Sequence, residues 1–311
     1  MNHLHLWSRR PATLLAIAAA LIFALLPLDS AAARQAHHGR SHHAQHHSGH
    51  GHHGKGHGHG HPGHPGKGHG KRDLTVMTQN MYLGSSLNPA LEATTPEAFV
   101  EAVARIYATV QYTNFPQRAE AIADEVEENE PDLIGLQEVS KWTTGGVNPP
   151  AGYDFLAILE NDLQARGLHY TAASIAHNAK IGPAPLALAD QGCVQPGPVI
   201  TCSVELEDRD VILVNDDTPG LTWSNPQSGR YATQQAIESP VGPLSFDRGW
   251  AGIDARLKHQ PFRFVDTHLE TEESPLVQQA QASEFLAGPG KGGTIIVTGD
   301  FNSAADGSTS W

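Results

Sequence analysis

Between Arg34 and Arg72 the chain carries almost no apolar side chain, and this bounds what the rest can be. The body of the segment, "HHGRSHHAQHHSGHGHHGKGHGHGHPGHPGKGHG", is His and Gly and holds 14 of the 20 histidines. A stretch with so little to bury cannot offset the entropy lost on ordering, so disorder is expected over 34–72. Neutral imidazoles at this density would bind Zn2+, Ni2+ or Cu2+, although no fixed ligand spacing marks a built site. The alternative is a solvated, pH-sensitive linker. Any core must therefore come from Asp73 to Trp311, 239 residues and enough for one large domain.

The start of the chain reads as an export signal. Arg9 and Arg10 precede an apolar run from Ala12 to Leu28, and Ala31 to Ala33 supply small residues for cleavage. An uncleaved anchor is the alternative, since the run nearly reaches spanning length. A secreted protein, extracellular or periplasmic, is expected, with no stable membrane insertion once the signal is removed. In that compartment Cys193 and Cys202, the only two cysteines, are expected to form a structural disulfide.

From Asp73 onward, 32 Asp and Glu stand against 12 Lys and Arg. Such a surface repels nucleic acid unless a local basic strip or bound cations intervene. Strand and helix signals alternate. Leu74 to Asn80 alternates as a strand, Thr95 and Pro96 open a helix through "EAFVEAVARIYATV", and a second helix is expected from Pro116 to Glu130. "DLIGLQEV" reads as a buried strand, and later strands are expected in "DVILVN", "AGIDARL", "FRFVDTHLE" and "TIIVTGD". Helices are expected at Phe155–Arg166 and Leu276–Leu286. Ala172–Pro198 and Asp216–Gly242 are rich in Gly, Pro, Asn and Gln and read as long surface loops.

Four strands finish in polar groups that a structural strand has no need of. They deliver Asn80, Glu138, His268, and the pair Asp300 and Asn302. Singly these read as a turn former, a surface acid, a packed histidine and a turn. Together they supply hard oxygen ligands for Mg2+, Mn2+ or Ca2+ beside an imidazole that can donate to an oxyanion.

The order "TQN … GLQE … THLE … GDFN" resembles the endonuclease/exonuclease/phosphatase superfamily, which includes deoxyribonuclease-I-like nucleases and neutral sphingomyelinases. The resemblance covers Asp73–Trp311. It implies an α/β (α+β) fold, a four-layer αββα sandwich of two mixed sheets with the active site where strand ends converge. It implies Asn80 and Glu138 as metal ligands, Asp300 as the carboxylate that orients or activates water, Asn302 as the amide holding a phosphate oxygen, and His268 as the donor to the phosphate. Arg118 and the "RGW" at Arg248–Trp250 also look like family features. Arg118 is expected on a helix face in a structural role, and neither arginine receives a catalytic one.

The family pattern closes with an Asp-His pair, and no Asp-His dipeptide occurs here. The general base is therefore not assigned, and the domain is expected to be incomplete, with the final strands of one sheet missing. The expected function is metal-dependent hydrolysis of a phosphodiester in a secreted monomer. Nucleic acid, a lipid headgroup and a small ester are candidate substrates, and the acidic balance favours the last two. The alternatives are an exported His-rich metal-binding protein and a catalytically inactive member of the superfamily.

Overall fold

The computed structural model describes residues 73–193, 199–239 and 242–304. The expected signal, the His/Gly segment and the strands expected to be missing all lie outside the described residues. Among the described residues no helix is long and apolar enough to cross a membrane.

Twelve strands and five helices are described. In the first sheet, β1 (Val76–Asn80) pairs in parallel with β2 (Leu133–Gln137), and β2 pairs antiparallel with β6 (Ser203–Asn215). The same side of β6 then takes β3 (Lys141–Gly145), which carries β4 (Gly152–Asp154). On its other side runs β5 (Tyr170–Pro185). The second sheet has the order β12 (Ile295–Asp300), β11 (Gln260–His268), β10 (Gly249–Leu257), β7 (Leu221–Arg230), with β11 and β12 parallel and the rest antiparallel. A separate hairpin joins β8 (Ala236–Ser239) to β9 (Gly242–Ser245).

The helices are amphipathic and pack on the outside. In α2 (Pro96–Tyr112), Phe99, Ala102, Val103, Ile106, Tyr107 and Val110 form one buried stripe. Thr95 caps it by accepting from Ala98 N at 3.1 Å, and Pro96 occupies the first turn. With α1 (Asn88–Leu91), α3 (Phe115–Asn129) and α4 (Phe155–Ala165), α2 covers the outer face of the first sheet, meeting Ile134, Leu136, Val211 and Leu213. On the second sheet, α5 (Pro275–Ala287) packs Phe285 against Val265 and Leu269. The result is the expected four-layer sandwich.

Between the sheets, Leu133, Ala173, Ala176, Ile212 and Val214 face Ala251, Ile253, Ala255 and Phe264. Four of these nine are alanine, and they let the sheets close tightly. Gly135 marks the tightest approach, since a Cβ there would collide with Thr298 Oγ1 and Asp266 Oδ1 of the other sheet.

The two long loops expected from composition, Ala172–Pro198 and Asp216–Gly242, are in large part strand. Tyr170–Pro185 and Leu221–Arg230 are strands, 16 and 10 residues long. Gly, Pro and Asn are absorbed by irregularities, because the β5–β6 register shifts at Ala172/Ser174, His177/Lys180 and Ile181/Ala184. The strand expected at "DVILVN" also begins earlier, at Ser203. The Cys193–Cys202 disulfide is present, with Cα atoms 5.0 Å apart.

Candidate active site

The inward-facing positions of three strands explain where the site lies. Read toward one end of the sandwich, β2 contributes Leu133, Gly135 and Gln137, β11 contributes Phe262, Phe264, Asp266 and His268, and β6, antiparallel, contributes Val214, Ile212, Asp210 and Asp208. The seam between the sheets therefore passes from apolar to polar in one direction. At its polar end the parallel pairs finish together. Asn80 is the register partner of Gln137, next to Glu138, and His268 is the register partner of Asp300.

This brings all five side chains expected from the sequence into one network. Asn80 Nδ2 donates to Glu138 Oε1 at 3.1 Å and to Asp300 Oδ2 at 2.9 Å. His268 Nε2 lies 3.9 Å from Asp300 Oδ2 and 3.1 Å from Asn302 Nδ2. Asn302 also donates to Leu269 O at 2.9 Å, and its backbone N–H to Asp300 Oδ1 at 2.9 Å. Glu138 and Asn302 take positive φ angles, 54° and 48°, which turn both side chains back toward the strand ends.

The loop after β1 is fixed from beneath. Glu138 Oε2 accepts from Leu83 N at 2.6 Å. Arg118 of α3 donates to Met81 O at 2.5 Å, Tyr82 O at 3.2 Å and Thr113 O at 3.0 Å. Arg118 is thus structural, as expected, holding the segment that carries Asn80.

Arg248, marked in the sequence only as part of "RGW", and Asp208 and Asp210, not marked there at all, also lie here. Arg248 Nη1 lies 3.0 Å from Nε2 and 3.1 Å from Nδ1 of His268, while its Nη2 donates to Glu270 Oε1 at 3.4 Å. Burial, reinforced by the Arg248 charge, holds the His268 pKa well below its ordinary value, so the ring is neutral. Behind it, Asp208, Asp210 and His268 each bring one ligating atom to within 4.8 Å of the others, a second group able to hold a cation. Burial first and the Glu138 charge second push Asp208 up to about 7. Asp210 is raised well above the ordinary range by burial, Asp266 and Asp208, and both its oxygens lack hydrogen-bond partners. Their only signal in the sequence was the acid alternation in "ELEDRD", which reads equally well as a solvated strand face.

Oxygens of Glu138 and Asp300 converge on one point, now bridged by the Asn80 amide nitrogen. Two carboxylates and one amide suit a hard divalent cation once the Asn80 amide turns, since its Oδ1 now accepts from Tyr82 N at 2.8 Å and its N–H faces the carboxylates. Glu138 also lines a neighbouring cleft of about 420 Å3, together with Tyr82, Ser85, Phe246, Arg248 and Glu270, whereas Asn80 and Asp300 do not line it.

No protein-family model and no curated protein matches this sequence. Among solved structures, similar ones include a humanized D. rerio TDP2, 12% identical with a TM-score of 0.41 over 75% of this chain and 63% of that one. An endonuclease/exonuclease/phosphatase family protein from Leptotrichia buccalis is 16% identical, with a TM-score of 0.42 over 62% of this chain and 63% of that one. ANGEL2, a 2′,3′-cyclic phosphatase, is 13% identical, with a TM-score of 0.39 over 75% of this chain and 54% of that one. The chain thus spans less than two thirds of each. At these TM-scores the likenesses are of general shape, and no residue's role follows from them.

Proposed function

We propose that this chain is an exported, divalent-metal-dependent phosphoric ester hydrolase of the endonuclease/exonuclease/phosphatase type, cleaving phosphodiesters by attack of water. The supporting observation is the meeting of Asn80, Glu138, His268, Asp300 and Asn302, from four separate strand ends, with Glu138 also lining a neighbouring cleft. Glu138 and Asn80 would hold Mg2+, with Mn2+ or Ca2+ as substitutes. When bound, the ion would neutralise charge on the phosphate's non-bridging oxygens.

The remaining steps belong to the chain's own residues. Asp300 accepts a hydrogen bond from the attacking water and aligns it. Neutral His268, whose Nε2 now meets Asn302 Nδ2 and Arg248 Nη1, would exchange these neighbours for the phosphate to donate a ring N–H to one of its oxygens, and Asn302 would offer its freed amide to another. Arg248 holds the imidazole in place and keeps it uncharged. The acidic balance of the domain favours a lipid-headgroup diester or a small ester over long nucleic acid. Export rests on residues 1–33, and a monomer is the working state.

The experiment is hydrolysis of bis(4-nitrophenyl) phosphate by the full chain, with Mg2+ or Mn2+ and then with EDTA. Turnover should be saturable, vanish with EDTA, and fall at least about 100-fold in Glu138→Gln at an unchanged melting temperature. Turnover indifferent to EDTA or to Glu138→Gln would end this reading.

A further inference from the structure

We infer that the outer face of the four-stranded sheet carries a second site, an anion-binding groove for a small phosphorylated ligand. The inference does not depend on the proposed hydrolase activity. A groove of about 620 Å3 runs over this face, lined by Thr222 and Ser224 of β7, Arg256 of β10, Arg263 of β11, and Lys291 and Thr294 ahead of β12. Arg263 precedes His268 by five positions on one strand, so the groove and the cleft lie about 17 Å apart at ordinary strand rise.

The distribution of charge partners makes the groove distinctive. From residue 73 onward only 12 Lys and Arg face 32 Asp and Glu, so each cation has an abundance of acids. Arg105, Lys141, Arg166, Lys180, Arg209, Arg230 and Arg248 are each paired with a carboxylate. Arg118 is held by backbone carbonyls. Among the described residues, the cations with neither a carboxylate partner nor such a set of backbone carbonyls are Arg256, Lys258, Arg263 and Lys291. Three of these four line this one groove.

Its single carboxylate is kept away from them. Asp254 is the direct register partner of Arg263, yet the two do not pair. Asp254 Oδ2 instead accepts from Asn225 Nδ2 at 2.8 Å, and Arg263 Nη2 donates to Gln227 Oε1 at 2.5 Å, both amides coming from β7. Trp250 flanks the guanidinium at 5.8 Å. Arg263 is therefore held in place without being neutralised, the state a preorganised anion receptor requires.

Hydroxyls from Thr222, Ser224 and Thr294 add neutral donors of the kind phosphoryl oxygens accept from. The volume suits a small molecule. The acidic surface beyond the groove disfavours a long polyanion, which would have to cross it. A compact ligand bearing one or two phosphoryl groups fits these constraints.

The test is calorimetric titration of inorganic pyrophosphate into the full chain at 150 mM NaCl with EDTA present. One saturable site per chain is expected, weakened at least tenfold in Arg256→Gln/Arg263→Gln/Lys291→Gln and unchanged in Glu138→Gln and Lys141→Gln. Should the triple variant melt early, the exposed double Arg256→Gln/Lys291→Gln carries the test and should lose at least about threefold. The proposal is overturned by absence of saturable heat, or by affinity unchanged in the folded variants. Sulfate binding as tightly as pyrophosphate would also overturn it, as an adventitious ion only. So would capture of a heparin or DNA fragment at the groove where pyrophosphate fails.

Discussion

Glu138 sits where a strand ends and the backbone turns left-handed, and it serves two neighbours at once. One oxygen takes the Leu83 N–H and the other the Asn80 amide. Glu138→Gln keeps the shape and removes the charge, so it should remove the cation site at the strand ends while preserving the fold; loss of one class of site in a Mn2+ titration by calorimetry reads this. Asn302→Ala removes donors to His268 and Leu269 and places alanine at φ 48°, where a Cβ is strained. It should lower kcat about 10- to 100-fold with little change in KM, and lower the unfolding free energy by about 1–2 kcal/mol. The five residues were legible because a polar group at the tip of an apolar strand has no packing reason to be there. Asp208 and Asp210 were not legible, since a charge inside an alternating strand looks the same whether its face meets water or another sheet.

The helices and apolar strands could be read from periodicity alone, because caps and stripes such as Thr95-Pro96 and Phe99–Val110 are local. The 16 residues of β5 could not. Its Asn178, Gly182 and Pro183 are turn formers by local preference, and only pairing along β6 carries them through register breaks as a strand. The same long-range constraint governs Gly135, whose missing side chain reads in the sequence as a weak point in a strand. Its structural meaning is clearance for Asp266 and Thr298 of the opposing sheet. Gly135→Ala should therefore destabilise by about 1–3 kcal/mol, measured by urea denaturation, although alanine favours a strand more than glycine does. Reducing the Cys193–Cys202 bridge should cost about 2–3 kcal/mol by freeing its short loop in the unfolded chain, which shows as a lower melting temperature in dithiothreitol.

Taken whole, the molecule buries acids along the polar end of the seam between its sheets, and this gives stability a definite pH dependence. Burial pushes Asp266 up to about 7, despite hydrogen bonds from Gln137 and Thr298, and Asp208 up to about 7 as well. Below about pH 4 these groups are protonated in both folded and unfolded chains and cost nothing. As pH rises from there toward about 7 the unfolded chain releases protons that the folded one retains, so stability falls across that window. Asp266→Asn removes one such group. Urea midpoints of the variant should fall less than those of the wild type between pH 4 and 7, and equal slopes would show that Asp266 ionises normally in the fold.

His268 and Asp300 face each other only because two neighbouring strands run in step, and that makes the reacting geometry a matter of counting. One extra amino acid spliced into the middle of β12 would bring Gly299 or its neighbours opposite the imidazole and rotate the carboxylate to the far side of the ribbon. The same insertion among the glycines at 288–293 would be swallowed by the bend before the strand begins. Two chains of equal length and composition would then differ in whether a carboxylate meets the imidazole at all.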